Sequence, residues 1–231
     1  MKIMTFNTQH CLNYVERKID FDVMAKAILS VNADIVGLNE MRDQGRSENY
    51  KAQTSILSNL TGLKYNYFAK AIEFKDGPYG NGFISKIPIV KAETIIIPDP
   101  NPRTGDRYYE TRAVLKAELE NGLTVLVTHF GLNKDEQESA VKTVLENLKS
   151  EKCILMGDFN VLPSDPILIP IRERMKDASD YVGEAKLSFP SINPVEKIDY
   201  IFVSKDIEII SADIPDIVAS DHRPHIAEIK Y

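Results

Sequence analysis

In the stretch MGDFNVLPSDP, Asp158 and Asn160 stand two residues apart, directly after the apolar run CIL. A buried strand ending there delivers a carboxylate and an amide to one rim. The placement recurs along the chain. Asn7 follows IMTF, Glu40 follows DIVGLN, His129 follows VLVT, Asp199 opens KIDYIFV, and Asp221 and His222 precede the last apolar run. Each alone has an ordinary reading as a turn former, a cap or a satisfied buried histidine. Together they form a chemical set. Glu40, Asp158 and Asp221, supported by Asn7 and Asn160, are hard oxygen donors suited to Mg²⁺, which keeps several waters and binds one or two carboxylates plus a substrate phosphate. His129 and His222 lack the close spacing of a zinc site and read as proton-transfer and oxyanion-binding groups. The inventory fits metal-assisted attack of water on phosphorus.

The elements that must position these groups are legible from periodicity. Met1–Phe6 reads as a first strand and Asp34–Leu38 as a second. Between them Phe21, Met24, Ala25, Ile28 and Leu29 recur at helical spacing. Residues 47–61 read as a helix ending at Gly62. YNYFAKAI, GFISK and VKAETIII then read as strands between Gly and Pro turns. TRAVLKAELE and LTVLVTHF flank Asn121-Gly122, which predicts a two-residue hairpin turn with Val114 opposite His129. Arg112 then lies one step along on the face of His129. Asn133 with Glu136 three residues on predicts a capped helix, and CILMG, KIDYIFV, IEIISA and HIAEIKY complete the strands. Many strands with few helices predict two sheets packed face to face and covered by helices.

GDFNVLPSDP, with VGLNE at Glu40, THF at His129, KIDYIFVS at Asp199 and SDHRPHIAEI at Asp221 and His222, resembles the endonuclease/exonuclease/phosphatase superfamily. The motifs occur in that superfamily's order over nearly the whole chain. The resemblance implies one domain over residues 1–231, an α/β/β/α four-layer sandwich with two mostly antiparallel sheets, and a Mg²⁺ site that Mn²⁺ can also fill. It implies Glu40 as principal metal ligand, with Asn7 and Asp221 close to the ion or its waters. Asp158 would orient or deprotonate the attacking water and Asn160 would contact phosphate. His222 would bind the scissile phosphate, oriented by Asp199, with His129 as second imidazole. AKAIEFKDGPYGNGFISKIPIV resembles small bacterial members, which sets Asn81 near the phosphate and Arg112 among the binding residues. Glu73 reads equally as a partner of His129 and as a surface residue. Two positions depart from the pattern. THFGLN stands where the exonuclease III branch usually carries a tyrosine motif, which speaks against abasic-site cleavage, and Cys11 stands where small members commonly have glycine.

Composition narrows the partner. The chain of 231 residues has 28 Lys+Arg against 34 Asp+Glu, a formal charge of −6, and no basic run or Trp. Duplex DNA draws most of its affinity from neutralised phosphates. The expected partner is therefore a phosphoester, a small molecule or lipid head group ahead of nucleic acid, with no obligate protein partner. A nuclease is the alternative function. A silent binding module is the less favoured one, since Glu40, Asp158, Asp199 and His222 are all present. Specificity is expected in the loops 42–50, 76–80, 99–109 and 177–194, where Arg42, Arg46, Arg103 and Arg107 read either as holders of extra phosphates or as simply solvated. Two cysteines, no apolar run long enough for a membrane span, and polar Thr5 and Asn7 too early for a signal core predict a cytoplasmic protein without membrane insertion.

Overall fold

The computed structural model describes residues 1–183 and 186–231; Glu184 and Ala185, inside the predicted 177–194 specificity loop, lie outside the described residues. In chain order the elements are β1 (Lys2–Asn7), β2 (Leu12–Asn13), β3 (Lys18–Ile19), α1 (Phe21–Val31), β4 (Ile35–Arg42), α2 (Gln53–Thr61), β5 (Tyr65–Phe74), β6 (Gly77–Ser85) and β7 (Ile89–Ile96). There follow β8 (Ala113–Leu119), β9 (Thr124–His129), α3 (Lys134–Asn147), β10 (Cys153–Asp158), α4 (Ile169–Arg174), β11 (Met175–Asp177), β12 (Asp199–Ser204), β13 (Glu208–Asp213) and β14 (His225–Lys230).

Two six-stranded sheets result, ordered β13-β14-β1-β4-β6-β5 and β11-β12-β10-β9-β8-β7. Their inner faces share a core of Ile3, Ile35, Phe83, Val127, Met156 and Ile201. α1 and α2 cover one outer face through Met24, Ile28 and Leu57; α3 and α4 cover the other through Val141, Val144 and Ile171. This is the expected α/β/β/α sandwich. Asp20 starts α1 by accepting from the Val23 amide at 3.0 Å, and left-handed Asn32 ends it. Leu29, predicted in the buried stripe, is 52% exposed. Among the described residues no helix is long and apolar enough to cross a membrane.

Each sheet is antiparallel except for one central pair: β1 runs parallel to β4 and β10 parallel to β9. Parallel neighbours end on the same side, so Asn7, Glu40, His129 and Asp158 emerge together on one rim. Gly157 permits the second pairing at close range. Its φ is +147, and a Cβ there would lie 1.8 Å from the Thr128 carbonyl oxygen, so the residue before Asp158 has no room for a side chain.

Two predicted features are corrected. The helix of residues 47–61 begins only at Gln53; before it the chain folds around buried Tyr50, whose hydroxyl donates to the Phe74 carbonyl. The β8–β9 hairpin is slipped by one residue, with Val114 opposite Thr128. Leu119 pairs with Leu123, and the Gly122 amide donates to the Leu119 carbonyl at 2.9 Å. Gly122 is left-handed (φ 85) while Asn121 is not. This makes a three-residue loop, which needs only one positive φ, instead of a two-residue turn needing two.

A side chain missing from the sequence reading joins the sheets. β4 bulges opposite β6, so that Leu38 faces Gly82 but Met41 faces Gly80, and Glu40 takes φ +60. The extra residue turns Asn39 inward. Fully buried, its Nδ2 donates to Asn81 Oδ1 and to the Thr128 carbonyl, both at 2.8 Å, and its Oδ1 accepts from the Asp158 amide at 3.0 Å. One amide thus ties β4 and β6 of one sheet to β9 and β10 of the other. Removing it strands three buried polar groups, at roughly 1–3 kcal/mol each. Asn39→Ala is expected to lower the unfolding free energy by about 3 kcal/mol or more in chemical denaturation; a loss below about 1 kcal/mol would show that the strut is dispensable.

Candidate active site

The rim opens into a cleft of about 450 Å³ whose lining includes Glu40, Arg107, Arg112, His129, Asp158, Asn160, Asp221 and His222. At its floor Asp158 is 1% exposed. Asp158 Oδ1 accepts from the Asn160 amide at 3.0 Å, closing a turn in which Asn160 adopts φ +50. That is why the two residues stand two apart: the carboxylate folds its own exit turn, and asparagine tolerates the left-handed conformation. Asn7 Nδ2 donates to Asp158 Oδ2 at 3.0 Å and to Glu40 Oε1 at 3.1 Å, while Asn7 Oδ1 accepts from the Gln9 amide at 3.1 Å. The Asn7 amide nitrogen therefore fixes two carboxylates, and its oxygen faces the backbone.

The two imidazoles are held in opposite states. His222 Nδ1 meets Asp199 Oδ2 at 2.8 Å, and Nε2 lies 3.6 Å from Asp158 Oδ2. Burial pulls its pKa down, but Asp199, then Asp158, prevail and push it up to about 10. His222 is an imidazolium with Nε2–H aimed at the cleft. His129 Nδ1 receives the Arg112 guanidinium at 2.9 Å. Arginine only donates, so Nδ1 is the acceptor and the ring proton sits on Nε2, 3.5 Å from Asp158 Oδ2. Burial first, then Arg112 and His222, hold the pKa of His129 well below the usual value, and it stays neutral. Between them Asp158 is carried up to about 7 by burial above all and by Asp199, against the pull of His222, Asn7 and the Asn160 amide.

Arg112 reaches His129 despite the slipped register, because its long side chain spans the difference; Glu110 Oε1 neutralises it at 2.7 Å. Glu110 is thus the acid beside the Arg112–His129 pair. Glu73 pairs instead with Lys70 on the surface. Asn81 does not line the cleft: its Oδ1 is taken by Asn39 and its Nδ2 donates to the Ala113 carbonyl at 2.8 Å. Asn160 Nδ2 donates to the Phe130 carbonyl at 3.0 Å and lies 3.2 Å from His129 Nε2. Arg107 is brought to the cleft by Asn133, whose Oδ1 accepts from the Arg107 amide at 2.8 Å. Besides Asn39 and Glu110, the sequence reading missed Tyr79, which donates to Glu40 and whose pKa is raised by burial and then by that charge. The YGNG motif was the available signal.

Two carboxylate sets could attract a divalent cation. Asp158, Asp199 and His222 offer atoms within 4.8 Å of one another. In that set His222 Nδ1 is already bonded to Asp199 and Nε2 lies beside Asp158, so both ring nitrogens are engaged by carboxylates. Glu40 and Asp221 line the same cleft. The pKa of Asp221 is raised by burial and, further, by Glu40, against His222. A buried carboxylate whose charge is disfavoured by burial and by a neighbouring carboxylate matches a site that a divalent cation completes. The donor chemistry therefore fits Glu40 and Asp221 as the residues that would hold it.

Beside Glu40, Gln9, His10 and Cys11 form a left-handed turn with φ of 47, 49 and 61. Left-handed backbone costs roughly 1–2 kcal/mol per non-glycine residue. Cys11 sits fully buried in that conformation, which is the physical reason a glycine suits the position.

Comparison with known proteins agrees with this architecture. Among proteins of curated function none matches the sequence. Among solved structures, an endonuclease/exonuclease/phosphatase of Beutenbergia cavernae DSM 12333 superposes with a TM-score of 0.78 at 18% identity, over 100% of this chain and 71% of that one. A mannosyl-6-phosphatase of Bacteroides thetaiotaomicron VPI-5482 gives 0.77 at 15% identity over 100% of both chains. The human Nocturnin catalytic domain with bound sulfate gives 0.70 at 17% identity, covering 100% of this chain and 93% of that one. These likenesses show the shared fold. The profile of the Endonuclease/Exonuclease/phosphatase family, whose members are generally divalent-metal-dependent phosphoester hydrolases, matches residues 4–222. The chain belongs to the endonuclease/exonuclease/phosphatase family.

Proposed function

We propose that the protein is a Mg²⁺-dependent hydrolase that cleaves a phosphodiester or phosphomonoester by in-line attack of water. The observation that carries this reading is the line Asp199–His222–Asp158. A buried carboxylate holds an imidazolium by Nδ1 at 2.8 Å, and the opposite ring nitrogen lies beside a second carboxylate whose pKa is near neutrality. One group donates to developing negative charge while the other can take a proton from water.

Asp158, steadied by Asn7 and the Asn160 amide, accepts the proton of the attacking water. His222 Nε2–H and His129 Nε2–H donate to non-bridging phosphoryl oxygens as charge accumulates there. Asn160 and Arg112 flank the same oxygens. The electrons of the breaking P–O bond leave on the alcohol oxygen opposite the entering water. Bound by Glu40 and Asp221, Mg²⁺ would supply Lewis-acid stabilisation of that charge. Asp199 keeps His222 charged and aimed.

A compact phosphoester or lipid head group is favoured over duplex DNA. The chain carries an excess of acids over bases, and Arg103 and Arg112 are neutralised by Asp99 and Glu110. A hydrolysis screen over phosphomonoesters, phosphodiesters, phospholipids and oligonucleotides tests both parts. Turnover should vanish in EDTA, return with Mg²⁺ or Mn²⁺, and show a higher kcat/KM on a small phosphoester or phospholipid than on plasmid DNA at near-physiological salt. Full activity in EDTA would sink the mechanism, and efficient cutting of duplex DNA alone would replace the substrate assignment with a nuclease.

Because His222 and Asp199 act as a unit, His222→Ala should lower kcat by roughly 10²-fold or more, the scale of one acid–base or oxyanion group. Adding Asp199→Ala should then cost far less than the product of the single effects. Multiplicative losses would show that the two residues work separately.

A further inference from the structure

Past Glu40, beyond the residues that line the cleft, lies a charged group that the proposed chemistry leaves unused. Glu40 and Arg42 flank buried Met41 at the end of β4, and both are partly exposed. Around Arg42 gather His10, Arg17, Arg46 and Lys75. Arg46 donates to the Lys75 carbonyl at 3.3 Å, Arg42 lies over the Tyr50 ring at 4.8 Å, and Tyr50 in turn donates to the Phe74 carbonyl. Arg42, Lys75 and Arg17 all act on His10 strongly enough to join burial in lowering its pKa, and Glu40 acts on it in the opposite sense.

None of these four cations has a carboxylate within ion-pair distance among the described residues, although the chain has an excess of acids. Arg42 Nε is buried without a hydrogen-bond partner, and Arg42 Nη1 reaches only the Asn49 carbonyl, at 3.5 Å. Arg103 is by contrast paired with Asp99 and stacked on Tyr109.

This group is built rather than loose. Fully buried Gln53 accepts from the Arg42 amide at 2.9 Å and donates to the His10 carbonyl at 2.8 Å. One side chain therefore fixes both the strand bearing Arg42 and the strained left-handed turn bearing His10. Strain kept at a functional rim and locked from below is strain that the surroundings over-determine.

We propose that His10, Arg42 and Lys75, with Arg17 and Arg46 at the margin, form an anion subsite for a second phosphate of the substrate, on the Glu40 side of the phosphate that is hydrolysed. The subsite rests on the phosphoester-hydrolase reading and narrows it to substrates with two phosphates. Arginine and lysine give charge-assisted hydrogen bonds to phosphate oxygens, and neutral His10 offers one more donor or acceptor.

The test compares propane-1,3-diol monophosphate with its bisphosphate, a flexible pair that differs by one phosphate. Binding is measured by calorimetry on the full chain carrying Asp158→Asn, with Mg²⁺ present, so that no turnover intervenes. The bisphosphate should bind at least tenfold more tightly. Arg42→Met should bring the ratio towards one, and Lys75→Met, at an exposed position, should lower it independently of any effect on folding. A ratio near one in the parent protein, or a preference that survives Arg42→Met with Lys75→Met, would overturn the subsite. Because binding is read without catalysis, failure to hydrolyse either compound would count against the proposed function and not against the subsite.

Discussion

The amide of Asn39 is the constraint on which the site depends. Two sheets meeting through an apolar core can slide with little penalty, since hydrophobic contact is non-directional. Hydrogen bonds are directional, and this one side chain bonds to Asn81, the Thr128 carbonyl and the Asp158 amide. The bulge in β4 that turns Asn39 inward also sends Glu40 outward at φ +60. A single irregularity therefore sets the register between the sheets and aims a carboxylate into the cleft. With a parallel pair at the centre of each sheet, four strand ends carrying Asn7, Glu40, His129 and Asp158 arrive at one level.

On that frame the electrostatics divide labour between similar groups. His129 and His222 are both nearly fully buried, and burial alone would leave both neutral. Their partners decide otherwise: a guanidinium at Nδ1 keeps His129 neutral, and a carboxylate at Nδ1 keeps His222 charged. The acids divide likewise. Asp199 is bonded to His222, Asp158 stands between the rings near neutrality, and Glu40 and Asp221 both line the cleft. A site with one charged and one neutral imidazole can donate to two phosphoryl oxygens without placing two adjacent cations in a buried space.

The strand ends were legible in the sequence because apolar runs stopped by polar residues reflect burial, which local pattern records well. The sandwich and the convergence of Glu40, His129, Asp158, Asn160, Asp221 and His222 followed from it. What escaped the sequence depends on backbone detail or long-range contact. Asn-Gly is compatible with both a two-residue and a three-residue turn, and only the φ of Asn121 distinguishes them. Asn39 looks like any polar residue beside Glu40 until the bulge is known. Helical spacing continued to residue 47, but Tyr50 gains more by burial against Gly45 and Gly77 than as part of an exposed first turn. Glu73, read equally as a partner of His129 and as a surface residue, pairs with Lys70 on the surface, and the acid near His129 is Glu110, acting through Arg112, because that pairing is set by where the 99–112 loop lands.

The central claim is that the cation belongs between Glu40 and Asp221 while Asp158, Asp199 and His222 handle protons and phosphate. Binding of Mn²⁺, followed by electron paramagnetic resonance in Glu40→Gln and His222→Gln proteins, separates the two sets directly. The account predicts that Glu40→Gln abolishes specific Mn²⁺ binding and that His222→Gln retains it. Retention in Glu40→Gln with loss in His222→Gln would place the ion in the Asp158–Asp199–His222 cluster and contradict the assignment.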